Sequence, residues 1–371
     1  MPTPSLQDRA LGALMGAFIG DALALGPHWY YDLAELRATF GPWISDYTAP
    51  KPGRYHEGLK AGQPSQAGVL LQLTLHSLVD CSGYDEADFC RRMDQDFFPL
   101  IDGTPMNGPG GYTSQSIRNA WQRRVAQGLP WDQAGGNADT TEAAERALAI
   151  AVRYALRPAQ LASAVTRNAR LTQTDSTVLA MTLAFCAVLG LLVEGHALDG
   201  EISGKLMARV KTGTLPFHTV TRGNLQLPQH GEPAPAAEGL FPSPDALLTP
   251  SCIARAARDP DIRIEPAWKA SLVYGLPCAV YHQFPAAYYL AARFPRDFES
   301  AVLHAVNGGG QNQARAILTG ALAGAQAGLG AIPRRFLDGL ENAAGLLDLA
   351  GRLAGQIAEE GPDRQASGVL C

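Results

Sequence analysis

The sequence is poor in what several function classes require. Its 371 residues include six cysteines, Cys81, Cys90, Cys186, Cys252, Cys278 and Cys371, with no CxxC pair among them. Such scatter fits free thiols in a reducing cytoplasm better than a disulfide frame. The eight histidines form no HxxxH or HxH pair, so a zinc signature is missing. Net charge is −5 with acids and bases interspersed, which removes the basic stripe that a nucleic-acid partner demands. The start, MPTPSLQDRALGALMGAF, lacks the basic residues, apolar run and cleavage site of a signal peptide; a cytoplasmic location is expected. One long apolar run, 178–193, lies between Asp175 and Glu194. It is shorter than the roughly 20 residues of a membrane span and reads as a buried central helix, so no membrane partner is expected.

Strand signals are also scarce. β-branched alternation is almost absent, and Ala, Leu and Arg recur at helical spacing. The pattern predicts an all-α, single-domain protein over 5–360. Helices are expected at 5–25, 68–80, 85–98, 113–128, 140–156, 158–169, 175–195 and 200–211. Others are expected at 267–293, 297–306, 311–328 and 334–360. Gly16 and Gly20 put a small-residue face on the first. The stretch 212–250 is rich in Pro and Gly and has no sustained period, so it reads as an excursion, a lid or a disordered insertion.

The segment AVNGGGQNQARAILTGALAGAQAG, 305–328, leads three glycines into a polar triplet and a small-residue helix. It is not a Walker A loop, because no Gly-Lys-Ser/Thr follows, nor a dinucleotide fingerprint, because no strand precedes it. Backbone N–H groups around Gly308, Gly309 and Gly310, with a helix N-terminus behind them, suit an anion such as phosphate. The amides of Gln311, Asn312 and Gln313 offer both donors and acceptors to a neutral polar ligand.

Taken with LGALMGAFIGDALALG near the start and TQTDS mid-chain, this segment resembles the ADP-ribosylglycohydrolase family over about residues 8–350. The stretches PHWYYD, ADTTEAAERA and FPAAYYLAARFPRDFESA are closest to its J1-crystallin branch. The resemblance implies an orthogonal multi-helix fold that removes ADP-ribose from modified side chains with two Mg²⁺ ions. Where active members carry a Thr-Asp-Asp triplet, this sequence has Ser65-Gln66-Ala67; where they carry Asp-Thr-Asp, it has Gln311-Asn312-Gln313. His28 stands where a glutamate is usual. In the mid-chain His-x-Asp element only Asp175 is kept, and Gln173 replaces the histidine.

Magnesium prefers anionic oxygens. Two unit charges at 4 Å repel by about 4 kcal/mol even at an effective dielectric of 20, and two dications by roughly four times that. A site of amides is therefore expected to hold no magnesium, and no cofactor is expected. His28, among Trp29, Tyr30, Tyr31 and Asp32, is a candidate acid or base; the alternative is a loop histidine packed among aromatics. Asp139 and Glu142 read as an acid–base pair or as ordinary helix-start residues, with Asp139 or Thr140 the cap. Asp175 reads as a ligand-orienting acid or as an N-cap. Cys278 and His282, four apart, read as a buried cysteine on an aromatic-rich helix or as a thiolate–imidazolium pair.

The candidate catalytic set is His28, Asp139 and Asp175. The candidate ligand-binding set is Ser65, Gln66, Asn137, Gly308, Gly309, Gly310, Gln311, Asn312 and Gln313. The expected partner is an ADP-ribose-like or other polar small molecule, bound without metal and, if turned over, at an N-glycosyl bond. Two alternatives stand beside it: a non-catalytic, crystallin-like protein, and a magnesium-dependent hydrolase with shifted ligands.

Overall fold

The computed structural model describes residues 3–218, 241 and 245–360. Sixteen α-helices account for the architecture of the described residues. They are α1 Leu6–Leu25, α2 Leu33–Phe40, α3 Gln66–Asp80, α4 Glu86–Arg92, α5 Gln115–Trp121, α6 Glu142–Arg153, α7 Pro158–Arg170 and α8 Ser176–Glu194. There follow α9 Ile202–Lys211, α10 Asp245–Arg258, α11 Ala270–Tyr274, α12 Val280–Arg293, α13 Phe298–Val306, α14 Asn312–Ala327, α15 Arg334–Asp338 and α16 Ala343–Glu360. Only isolated β-bridges occur among the described residues, as the scarcity of strand signals predicts.

The organising contact is α1 against α14. Glycines at intervals of four, Gly12, Gly16 and Gly20, meet Gly324, Gly320 and Ala316 of the partner helix. A Cβ on Gly12, Gly16 or Gly20 would sit only 2.2, 2.2 or 2.1 Å from an opposing carbonyl oxygen. The two backbones touch because the small residues remove everything between them. This close crossing carries Asp21, near the end of α1, to Gln313, in the first turn of α14.

The apolar run becomes α8, whose Val178, Leu183, Phe185 and Leu189 are buried in the core. It is long and apolar enough to cross a membrane by length and composition, yet 83% of its most apolar window is buried within the protein. Asp175 caps it, accepting from the Thr177 and Val178 amides at 2.9 and 3.0 Å, and left-handed Gly195 ends it.

The structure corrects the expected boundaries in four places. The span expected as one helix at 334–360 is two, α15 and α16, parted at 339–342. Helix α2, capped by Asp32, lies where no helix is expected. Helix α10 begins at Asp245, inside the stretch read as an excursion, while 219–240 lies outside the described residues. Cys278 precedes α12, which begins at Val280, so it shares no helical face with His282. The His282 Nδ1 is bonded instead to the Tyr274 carbonyl at 2.6 Å.

Candidate functional site

A cavity of about 80 Å³ opens where the segment after α1, the starts of α3, α5, α6 and α14, and the loop segments carrying His56 and Tyr112 converge. Its walls include His28, His56, Gln66, Tyr112, Arg118, Glu142, Glu145, Cys278, Gln311 and Gln313. Helix starts dominate because each ends a rigid element with side chains free to turn inward.

Ser65 caps α3, its Oγ accepting from the Ala67 amide at 3.0 Å. The same hydroxyl donates to Asp21 Oδ1, and the Ser65 amide donates to Oδ2 at 2.8 Å. Gln313 Nε2 donates to Asp21 Oδ1 at 2.8 Å. Burial pushes the Asp21 carboxyl up to about 6 against these donors, which favour the anion. Gln66 Oε1 accepts from the Ser114 amide at 2.9 Å, while its buried Nε2 has no partner.

Gln311 and His28 meet on the opposite wall. His28 Nε2 lies 2.8 Å from Gln311 Oε1, and the Trp29 indole N–H donates to the same oxygen. His28 Nδ1 lies 2.5 Å from His56 Nε2, whose other nitrogen faces the Gly110 carbonyl. Trp29 and His56 hold positive φ angles of 63° and 68°, conformations that side-chain-bearing residues rarely adopt and that surroundings must enforce. Gly110, itself at φ 75°, fits because a Cβ there would stand 2.1 Å from the Gln66 amide nitrogen. Trp29, Tyr55 and Tyr112 form an aromatic lip, with ring centroids 4.2 Å apart for Trp29–Tyr55 and 4.3 Å for Trp29–Tyr112.

The acids of the site come from α6. Glu142 turns its carboxylate inward. Its Oε2 accepts from the Ser116 hydroxyl at 2.7 Å and from the Thr140 hydroxyl. Glu145 accepts from the Thr141 hydroxyl at 2.6 Å. Burial raises the Glu142 carboxyl, and burial with the neighbouring Glu142 charge pushes Glu145 up to about 8. Burial likewise drives the Cys278 thiol up to about 11, which removes the thiolate that a nucleophile would need.

The cap expected from Asp139 or Thr140 is absent. Thr141 occupies the N-cap of α6, but its hydroxyl is given to Glu145 and caps no backbone amide; the cap is supplied from afar. Gln173 Oε1 accepts from the Ala143 amide at 2.9 Å, and its Nε2 donates to the Ala138 and Thr140 carbonyls at 2.8 Å each. Fully buried Gln173 thus pins the segment that delivers Glu142.

Of the candidates named from sequence, His28, Ser65, Gln66, Gln311 and Gln313 are brought together in the cavity wall. Asp139 and Asn137 are exposed and are not part of that wall; Asn137 Oδ1 accepts from the Thr174 hydroxyl at 3.1 Å. Exposed Asp175 is engaged as the α8 cap. Gly308, Gly309 and Gly310 lie behind the wall. The Gly310 amide donates to the Tyr30 carbonyl at 2.8 Å and its carbonyl accepts from the Trp29 amide at 3.1 Å. A Cβ on Gly309 would stand 2.3 Å from the Leu33 side chain. Gly309 and Gly310 therefore seat the Trp29–Tyr30 backbone, while the Gly308 carbonyl accepts from the Ser271 hydroxyl at 2.7 Å. Asn312 is fully buried and donates to the Val306 carbonyl at 3.3 Å.

His56, Tyr112, Ser114, Arg118 and Glu145 were not singled out from sequence. Only Glu145 had a signal, its spacing of three from Glu142 on one helix face.

The ADP-ribosylglycohydrolase family model matches residues 2–363. The chain belongs to this family. An uncharacterized protein of Archaeoglobus fulgidus is 23% identical to it over 352 residues, spanning 94% of this chain and 96% of its own. A solved structure described as an ADP-ribosylglycohydrolase-related protein complex superposes with a TM-score of 0.60 at 22% identity, covering 95% of this chain and 98% of that one. At that identity the likeness shows the fold, which is the all-α fold expected. Among the described residues, no group of three or more His, Cys, Asp or Glu side chains is placed to hold a metal ion.

Proposed function

We propose that this family member binds one sugar-sized end of an ADP-ribose-like ligand in the cavity without metal, and that Glu142 serves hydrolysis of an N-glycosyl bond there. The observation that carries the reading is the Glu142–Glu145 pair, one half-buried and one buried acid with raised pKa values, facing a cavity lined by amides and aromatics. The cavity, about 80 Å³, is well below the roughly 300–1,000 Å³ of pockets that enclose a drug-sized ligand, so only one end of such a ligand would enter it. The remainder of such a ligand would lie across the lip of Trp29, Tyr55 and Tyr112.

The donor set does not fit a dinuclear magnesium centre. At the positions matching the family's two acidic clusters stand Ser65, Gln66, Gln311, Asn312 and Gln313. The Gln66 and Gln311 side-chain oxygens are engaged by Ser114, His28 and Trp29. Of the three nearby carboxyls, Asp21 accepts from Ser65 and Gln313, Glu142 from Ser116 and Thr140, and Glu145 from Thr141. Two dications would meet three acids that are already hydrogen-bonded and that burial holds towards their neutral forms, against the several anionic oxygens such ions require.

In the proposed hydrolysis the bond between C1 and nitrogen breaks, the protonated Glu142 carboxyl gives its proton to the leaving nitrogen, and water supplies hydroxyl to C1. Its proton returns to the carboxylate, and no metal step is needed. Asp139 and Asp175, outside the wall, have no part in this scheme, and His28 acts as a wall residue held by Gln311. The test is calorimetric titration of ADP-ribose into the protein with and without Mg²⁺, paired with a turnover assay on an N-linked ADP-ribosyl substrate. Affinity independent of Mg²⁺ supports the reading, and Mg²⁺-dependent binding overturns it.

A non-catalytic, crystallin-like role is the second reading. It is favoured by the small cavity volume and by polar side chains that bond mostly to one another. Binding without turnover would select it.

A further inference from the structure

The contacts of His28 and His56 count protons. The Gly110 carbonyl can only accept, so His56 Nδ1 must carry a hydrogen. Gln311 would be free to turn either end of its amide towards His28, but the Trp29 indole nitrogen, which can only donate, touches the same atom. That atom is therefore the oxygen, and His28 Nε2 must also carry a hydrogen. Between the rings, Nδ1 of His28 and Nε2 of His56 stand 2.5 Å apart. Two bare lone pairs cannot sit that close, so a third hydrogen lies between them. Two neutral imidazoles own two N–H groups, and the network uses three.

We propose that the Trp29 indole, by locking Gln311 as an acceptor, makes His28 and His56 share a third proton, so that the cavity wall holds one fixed positive charge and rejects divalent cations. The pair acts through position and charge, since each outer nitrogen is spent on Gln311 or Gly110. This rests on the reading of the cavity as a metal-free site, but its test does not depend on any ligand.

Burial alone works the other way, holding His28 well below the usual histidine range and His56 at about 4. Against that stand three contacts, of which every neutral arrangement leaves one with lone pair facing lone pair in a buried place. Around the cavity the charged or titratable groups are Tyr112, Arg118 of α5, Glu142 and Glu145 of α6, and Cys278 before α12, with Arg54 bonded to the Trp29 carbonyl behind them. Asp21 of α1 lies behind Ser65 and Gln313, with no arginine or lysine bonded to it. Raised only to about 6, Asp21 is the acid of this group that supplies negative charge near pH 7 for the shared proton to offset.

The experiment is ¹⁵N NMR of the full chain labelled at histidine, near pH 7, with assignments from His28→Asn and His56→Asn. Three protonated nitrogens among the four, unchanged by millimolar Mg²⁺, are expected; two, or a loss of one on adding Mg²⁺, would overturn the proposal. In Trp29→Phe the freed Gln311 amide can turn its NH₂ to His28, and the count is expected to fall to two. A count that stays at three there would sink the role given to Trp29. If ADP-ribose fails to bind while the three protons are found, the functional reading fails and this one stands.

Discussion

The side-chain amide of Gln313 donates to Asp21 Oδ1 at 2.8 Å, joining the end of α1 to the start of α14 at a point where both residues are buried. An amide in this place satisfies a carboxylate that has no basic partner. Replacing it by Leu would leave a buried anion one hydrogen bond short. Gln313→Leu is expected to lower unfolding free energy by about 1–3 kcal/mol, measured by urea denaturation at neutral pH. An unchanged midpoint would mean that water or a shifted Ser65 takes over the contact.

Magnesium should leave the fold indifferent. A ligand at a hundred times its Kd that binds only the native state adds about 2.7 kcal/mol of stability, which a melting curve detects easily. The expected outcome is the same Tm with 10 mM Mg²⁺ (roughly a thousandfold over a 10 µM Kd) as with chelator. A rise of several degrees would return the magnesium-dependent alternative.

The α1–α14 seam is the most sequence-legible part of the structure, and it carries a stability prediction. Glycines spaced by four announce a close helix pair, and Gly16 indeed faces Gly320 with no room for a methyl group. Gly16→Ala must push the two backbones apart or unfold them. Overpacking commonly costs about 1–3 kcal/mol, and a backbone collision exceeds that. We expect a loss above 3 kcal/mol or insoluble protein, against a loss below 1 kcal/mol for Gly204→Ala, where a Cβ meets nothing within 4 Å.

The site was legible only in part, for a physical reason. The Gln311–Gln313 triplet and Ser65-Gln66 announce themselves because they stand at helix starts, where local sequence fixes the backbone. His56 and Gly110 come from irregular segments, and only the folded chain brings them to His28. The acids misled for the opposite reason. Asp175 begins a helix, as an N-cap should, and it is one. Glu142 reads as an ordinary first-turn acid, yet hydroxyls of Ser116 and Thr140 turn it inward. Nor can three consecutive glycines say whether they approach a ligand or, as Gly309 and Gly310 do here, the backbone of Trp29 and Tyr30.

Glu145 sets a pH dependence. Its carboxyl is raised from 4.5 to about 8 in the folded protein, so the native state binds the proton more tightly than the unfolded chain. Its contribution is full below about pH 4.5 and is lost as pH rises towards 8. Stability should therefore fall between pH 5.5 and 8.5, by a few kcal/mol at most on this scale of shift. Glu145→Gln, neutral at every pH, should flatten that slope in urea titrations. A slope identical in both proteins would place the titration elsewhere.

Catalysis, if present, should separate from binding at Glu142. Glu142→Gln keeps an acceptor for Ser116 and Thr140 but cannot give up a proton. General acid catalysis contributes typically 10²–10⁴-fold, so hydrolysis of an N-linked ADP-ribosyl substrate should drop by about that factor. ADP-ribose affinity should stay within roughly threefold, less than the tenfold that 1.4 kcal/mol represents. Equal activity in both proteins would exclude Glu142 as the acid.

Gln173 tests whether the site is held from outside. One amide, fully buried, accepts from Ala143 and donates to Ala138 and Thr140, doing for α6 what its own cap residue does not. Gln173→Ala would leave one backbone amide and two carbonyls unsatisfied, and is expected to cost about 2–4 kcal/mol. Gln173→Glu is the sharper probe. Its carboxylate can still accept from Ala143, but its second oxygen would face two carbonyl oxygens where the amide now donates. The variant should be at least as unstable as Gln173→Ala at pH 8 and should recover at pH 5, where a protonated carboxyl regains one donor. A variant equally stable at both pH values would mean that the Ala138–Thr140 carbonyls are satisfied without Gln173, and that Glu142 is positioned by its hydroxyl partners alone.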